Sequence, residues 1–313
     1  MVTVTGAAGH VGANLVRELL ARGEDVRVLV HRDVRALEGL AVERVQTDIR
    51  DPESLAEAFK GAKKVFHLAA QISITGSMGG LVDEVNVRGT QNVVEACLRR
   101  GVGRLVHFSS IHAVCPGDGR PEMDEKSPYV DAKKGVAYDC SKAMGERVVR
   151  EGMERGLDAV IVGPTAVIGP YDFKLSPMGE VLYNLFRGKM PALVNGGFDW
   201  VDARDVAAGA ILAAEKGGRG ERYLLSGHYY SLRELALLAE GVSGVKAPSI
   251  AVPIWLAGLG APFSLALSKL TGKRPLYTPE SLRALRESRP VSSRKARDEL
   301  GYSPRPLGET VRD

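Results

Sequence analysis

Apolar residues follow two alternating rhythms along the first half of the chain. Met1 to Thr5 is a short β-branched run, and after a glycine-rich loop Asn14 to Ala21 repeats with helical period and stops at Gly23. Val26 to Val30 then predicts a strand, Pro52 to Phe59 a helix, Val65 to Leu68 a strand, and Val85 to Arg100 a helix closed by Gly101. Leu105 to Phe108 predicts a strand, Tyr138 to Arg155 a helix closed by Gly156, and Ala159 to Val162 a further strand. Strands separated by helices pair in parallel, and the helices cover both faces. The expected fold is α/β, a doubly wound parallel sheet.

From about Pro170 the alternation weakens and Gly and Pro become frequent. Residues 1–169 are expected to form a dinucleotide-binding domain, and 170–313 mainly a smaller substrate-binding lobe with a C-terminal tail. Parts of about 199–230 are expected to return to the first domain. In the second half a strand is expected around Tyr223 and a helix over Ser231 to Ala239. Ser249 to Ser268 carries no charge over twenty residues, close to the length that spans a bilayer. Pro253 and Pro262 break it and Gly258 and Gly260 weaken it, so buried or substrate-lining helices are expected. The alternative is a membrane-associated surface.

The composition adds exclusions. Among 313 residues, 44% are hydrophobic and 26% charged, as in an ordinary globular protein. The net charge of +4 comes from 42 basic and 38 acidic residues without runs of one sign, so a nucleic-acid partner is not expected. Cys97, Cys115 and Cys140 show neither disulfide nor zinc spacing. A reducing, cytoplasmic setting is expected, and a secretory signal is not.

Thr5-Gly6-Ala7-Ala8-Gly9-His10-Val11-Gly12 lies between the first strand and the first helix. Gly6 suits a tight turn, Gly9 a close approach of backbone to a pyrophosphate, and Gly12 helix-to-strand packing, which is the pattern of a Rossmann dinucleotide site. At the end of the second strand stand His31, Arg32 and Asp33. The acidic position expected for NAD holds His31, and Arg32 suits a 2′-phosphate, so NADP(H) is expected. NAD stays possible if Asp33 serves the ribose.

Tyr138-Asp139-Cys140-Ser141-Lys142 places a phenol and an ammonium four residues apart on one helical face. An ammonium nearby would lower the phenol's pKa and fit it for proton exchange with an alcohol or carbonyl. Tyr129 and Lys133 repeat the spacing, but Pro128 and Gly135 mark that segment as loop. Ser109 and Ser110 follow the strand ending at Phe108, at the carboxyl edge where such sheets bind ligands, and either hydroxyl could meet the reacting oxygen or cap a turn. His107 and His112 lack the spacing of a helical zinc pair, so no metal is expected; a GxSxG elbow and a Walker A lysine are missing too.

Taken with Asp48-Ile49-Arg50-Asp51, His67-Leu68-Ala69-Ala70, Asn86 to Thr90, Phe108 to Ser110, Pro164 to Pro170 and Glu299 to Tyr302, these motifs resemble the extended short-chain dehydrogenase/reductase family. Val162 to Pro170 and Val30 to Asp33 are similar to its dihydroflavonol 4-reductase-like branch. The resemblance implies Asp48 and Ile49 at the adenine, Leu68, Ala69, Ala70 and Pro164 along the cofactor cleft, and Asn86 beneath the sheet edge. It also implies a catalytic set of Ser110, Tyr138 and Lys142, and a homodimer. Aligned from Val114, the serine position falls instead on Ile111. The activity implied is hydride transfer between NAD(P) and a carbonyl or secondary alcohol of a small, fairly apolar substrate. A nucleotide-sugar epimerase or dehydratase retaining its cofactor, and a dinucleotide-binding sensor, are the alternatives. Against the epimerase, Gly163, Ala166 and Phe198 stand where arginine, asparagine and arginine would anchor a diphosphate.

Overall fold

A computed structural model of the chain describes residues 1–31, 33–74, 76–117, 120–131, 135–260 and 278–313. Its strands are β1 (Val2–Thr5), β2 (Val26–Val30), β3 (Glu43–Gln46), β4 (Lys64–His67), β5 (Arg104–Phe108) and β6 (Ala159–Pro164). They continue with β7 (Ala166–Ile168), β8 (Leu193–Val194), β9 (Gly197–Asp202), β10 (Arg222–Leu225), β11 (His228–Ser231) and β12 (Ala251–Val252). Among the described residues seven strands form one sheet in the order β10-β6-β5-β4-β1-β2-β3, every pair parallel. The strand order reverses between β1 and β4, which opens a crevice at their carboxyl ends.

Alternation along each strand divides the core in two. Val4, Phe66, Val106, Val160 and Val162 join the helices His10–Ala21 and Ala203–Lys216 on one face. Val65, Leu105, Ala159 and Ile161 join the helices Pro52–Ala58, Gly89–Arg100 and Ala137–Glu154 on the other. Burial on both faces is why these strands read as unbroken apolar runs.

β3 does not stand out in the sequence. Its residues, Glu-Arg-Val-Gln, lie on the exposed sheet edge, where burial imposes no apolar pattern. The strand around Tyr223 lies in the main sheet, where as β10 it pairs with β6. Tyr223 itself is buried and its hydroxyl donates to Glu299 at 2.7 Å.

The lobe is built on β11-β9-β7, in which β9 pairs antiparallel with β11 and parallel with β7. Trp200, Ile168, Leu235 and Leu285 form its core with the helices Pro177–Phe186, Leu232–Ser243, Pro279–Glu287 and Leu307–Arg312 around them. The uncharged stretch departs from expectation. Its residues 254–260 are helical, yet Trp255, Leu256 and Leu259 are exposed while only Ile254 and Ala257 pack on the lobe core. Residues 261–268 lie outside the described residues, and no described helix is long and apolar enough to cross a membrane.

Two glycines give opposite expectations. A methyl on Gly227 would lie 1.9 Å from the Trp200 carbonyl oxygen, so Gly227→Ala should part β9 from the turn into β11 and cost about 3 kcal/mol. Gly241, helical and open to solvent, should gain about 0.5–1 kcal/mol as alanine. Urea unfolding of the two variants checks both signs.

Candidate active site

The glycine loop after β1 is shaped by two close approaches. Gly6 has φ +70°, and a methyl there would meet the Ala69 nitrogen at 2.6 Å and the Leu68 carbonyl carbon at 2.7 Å. This presses the loop against residues 68–70, which leave β4 at the sheet's carboxyl edge. A methyl on Gly12 would lie 2.3 Å from the Gly6 oxygen and 2.8 Å from the Ala7 Cα, so Gly12 seats the helix on the loop rather than on the strand. Gly9 is the N-cap of His10–Ala21, with no side-chain cap and no acid in the first turn. The first-turn N–H groups, those of His10 and Val11 included, therefore point at an anion site without competition, which fits a dinucleotide's pyrophosphate. The His10 ring turns elsewhere. Its Nε2 lies 3.2 Å from the carbonyl oxygens of Gly169 and Pro170, and Asn14 Nδ2 donates to Pro170 at 2.9 Å, so both side chains hold the connector into the lobe.

At the end of β2, His31 is exposed, 3.8 Å from Asp48, and Arg32 lies outside the described residues. Asp33 accepts from Arg35 at 2.7 Å and Asp48 from Arg50 at 2.6 Å. In each, the arginine's hydrogen bonds hold the carboxyl down at about 2. Ile49 is buried under the helix Gly89–Arg100, where a methyl on Gly89 would strike its Cδ1 at 2.6 Å, and its carbonyl accepts from Asn92 at 3.0 Å.

Behind the crevice a hydrogen-bonded chain crosses the sheet. The Ala69 N–H donates to Thr5 Oγ1 (3.2 Å), and Thr5 Oγ1 pairs with His67 Nδ1 (2.8 Å). His67 Nε2 pairs with Thr90 Oγ1 (3.1 Å), whose proton goes to the Asn86 carbonyl (2.7 Å). Thr90 has given its one proton to Asn86, so it accepts from His67 Nε2, and with the buried ring neutral Nδ1 accepts from Thr5. His67 is thus a neutral imidazole protonated at Nε2, and burial pushes its pKa down to about 3. Asn86, in a π-turn over Glu84–Arg88, accepts from the Gln71 N–H at 2.7 Å and donates to Ser141 Oγ at 2.8 Å. Ser141 donates in turn to the Tyr138 carbonyl at 2.7 Å. Thr5, Thr90 and Gln71 carry no sequence signal for this role, because their partners lie on other elements.

Tyr138 sits in the first turn of Ala137–Glu154, half-buried. Burial pushes its hydroxyl up to about 12, while a hydrogen bond with Ser110 works the other way. Lys142 does not depress the phenol as the spacing suggested. It is buried, with Nζ donating to the Phe108 carbonyl at 2.7 Å, and burial lowers its pKa to about 8. Ser110 caps the turn Ile111–Ala113, accepting from the His112 N–H at 3.2 Å. Ser109 turns away and donates to the buried Glu146 at 2.5 Å, and Ile111 packs in a small apolar cluster. Of the three, Ser110 is the one whose hydroxyl favours the Tyr138 phenolate. Tyr129 belongs to the Glu146 cluster: its hydroxyl donates to Glu146 at 2.8 Å and accepts from Arg150 at 3.2 Å. Lys133 lies outside the described residues. His112 was missed by sequence reasoning; its ring stands edge-on to Tyr138 at 5.8 Å and its Nδ1 is 3.2 Å from Asp139. Pro164 closes β6 at the same carboxyl edge.

Residues 2–226 match the family model described as the NAD dependent epimerase/dehydratase family. The chain is 40% identical over 307 residues to sterol demethylase protein B of Methylococcus capsulatus, covering 96% of this chain and 93% of that protein. It is 33% identical over 317 residues to a Synechocystis protein named as a dihydroflavonol 4-reductase, covering 99% and 92%. Among solved structures, that of gox2253 superposes with a TM-score of 0.86 at 36% identity, covering 100% of this chain and 96% of that one.

The two tyrosines should separate chemistry from stability. Tyr138→Phe should lower turnover about a hundredfold or more with dinucleotide binding retained. Tyr129→Phe should leave turnover near the wild-type rate but cost about 1–2 kcal/mol, because buried Glu146 loses a donor. Steady-state kinetics and thermal unfolding of both variants check this.

Proposed function

The chain belongs to the NAD dependent epimerase/dehydratase family and is an NAD(P)-dependent oxidoreductase of the extended short-chain type, and from that premise we propose that it reduces a carbonyl, or oxidises the matching secondary alcohol, on a small, fairly apolar substrate. The observation that carries the reading is the start of the helix Ala137–Glu154 at the carboxyl edge of the sheet, bearing Tyr138 and, one turn on, Lys142, whose Nζ donates to the Phe108 carbonyl at 2.7 Å.

When bound, the dinucleotide supplies or accepts the hydride. The groups that would hold it are Gly6, Gly9, Gly12 and the first-turn N–H groups at the pyrophosphate, with Asp48, Ile49 and residues 68–70 along the cleft. In reduction, Tyr138 gives its phenolic proton to the carbonyl oxygen, a role suited to a hydroxyl that burial keeps protonated. Ser110 holds the same oxygen by a hydrogen bond. Lys142, on the same helical face and held by the Phe108 carbonyl, would use its charge to hold the nicotinamide ribose. Asn86 and Ser141 fix the backbone from which Tyr138 projects.

Two relatives are named for a sterol and a dihydroflavonol, which favours an apolar substrate. The side chains available to a diphosphate are few. Phe198 stacks edge-on with Trp200 at 5.5 Å, and Arg204 is committed to Asp202 at 2.7 Å and Asp313 at 2.6 Å. For the cofactor, NADP(H) is favoured: Arg32 follows β2, and the nearby carboxylates of Asp33 and Asp48 are each already paired with an arginine. The proposal includes a homodimer, as the family resemblance implies, working in a cytoplasmic, reducing setting that suits the free thiols of Cys97, Cys115 and Cys140.

A turnover panel tests the substrate class, with aromatic and aliphatic ketones beside UDP-, GDP- and dTDP-sugars, each with NADPH and NADH. Saturable NADPH-dependent reduction of ketones is expected; turnover of nucleotide sugars alone would install the epimerase reading instead. The pH profile is a separate check. Lys142 must stay charged and its pKa is lowered to about 8, so kcat/KM for reduction should fall as pH rises through about 8, well before Tyr138 titrates. A rate that is flat to pH 10 would remove Lys142 from the role.

A further inference from the structure

The charge-free stretch that the reaction leaves unused carries a second feature. Over residues 254–260 the helix buries Ile254 and Ala257 in the lobe and turns Trp255 and Leu259 outward, 69% and 65% exposed. Ile250 just before it is 59% exposed. A surface helix ordinarily presents polar residues to water, so an apolar outer face marks a contact site.

The neighbouring surface is basic. β12 lies beside β8, with the Leu193 N–H donating to the Ile250 carbonyl at 2.9 Å. The turn before β8 meets Val245, whose Cγ1 would lie 3.3 Å from a Cβ on Gly188. Exposed Arg187, Lys189 and Lys246 therefore stand around the same area, with Tyr183 beside Arg187 at 5.4 Å. No acidic residue occurs between Glu180 and Asp199 or between Glu240 and Glu280, although the whole chain has 38 in 313 residues.

We propose that this face docks on an anionic lipid bilayer. Trp255, Leu256 and Leu259 enter the headgroup boundary, where an indole has both an apolar and a wet neighbour. Arg187, Lys189 and Lys246 meet the lipid phosphates, and their aliphatic stems lie along the apolar surface. A second copy of the chain fits this face poorly, since a two-fold contact would bring the same cations together. The attachment is peripheral, with no described helix able to span. It does not depend on which substrate the active site takes.

The purified full-length protein supplies its own probe. Of two tryptophans, Trp200 is 1% exposed, so a change in emission on adding vesicles reports Trp255. Vesicles containing phosphatidylglycerol should sediment the protein and shift its emission to shorter wavelength, whereas pure phosphatidylcholine vesicles and high salt should weaken both. The double variant Trp255→Ser, Leu259→Ser should bind at least about tenfold more weakly. Lys189→Glu with Lys246→Glu should lose the preference for anionic lipid, and both double variants should retain the wild-type melting temperature and turnover of a soluble substrate. Absence of sedimentation, or sedimentation with unchanged emission, would overturn the proposal. So would concentration-dependent self-association that the Trp255, Leu259 variant abolishes while vesicles bind neither form.

Discussion

The contact between Gly6 and residues 68–69 is the constraint on which the cofactor crevice depends. The two backbone segments approach so closely that a single methyl group would part them. Thr5 locks the same junction from within, because its hydroxyl accepts from the Ala69 N–H and donates to His67. The glycine loop and the strand end that faces it are thereby held as one rigid edge, and the helix dipole behind Gly9 is aimed at a fixed point.

From that edge the polar chain runs on to the helix that bears Tyr138. His67, Thr90, Asn86 and Ser141 link the end of β4 to the backbone of Tyr138 through groups that are all buried. In a low-dielectric interior such a chain is favourable only if each member is satisfied, and here each proton has one acceptor to go to. The neighbouring His107 is different: both its ring nitrogens lack a partner among the described residues, and burial holds it neutral. Burial also acts in opposite directions on Tyr138 and Lys142, raising the first and lowering the second, because it disfavours whichever form is charged. The result is a protonated acid beside an amine that keeps its charge only up to mildly alkaline pH.

Polar clusters join the lobe to this frame. His10 and Asn14 grip residues 169–170, while Arg204 and Arg305 gather Asp202, Asp205 and Asp313 at the start of Ala203–Lys216. The chain therefore enters the lobe from beside the glycine loop and returns next to β10.

The sequence by itself determined the doubly wound sheet, because strands buried on both faces must be apolar throughout and helices that cover them must repeat at 3.6 residues. It also located the glycine loop and the Tyr138, Lys142 pair, whose chemistry is local: a turn that excludes side chains, and two groups one helical turn apart. What it left open needed partners distant in the chain. The choice of Ser110 over Ser109 rests on Glu146 taking the latter, and Tyr129, which Pro128 and Gly135 already set aside as loop, is held by Glu146 and Arg150. Periodicity missed β3, since an exposed edge demands no pattern, and misjudged residues 254–260, since hydrophobicity specifies burial only when a neighbour is there to provide it. The protonation of Tyr138 and Lys142 was likewise decided by tertiary structure, as desolvation is set by the atoms that surround a group and not by its spacing along a helix.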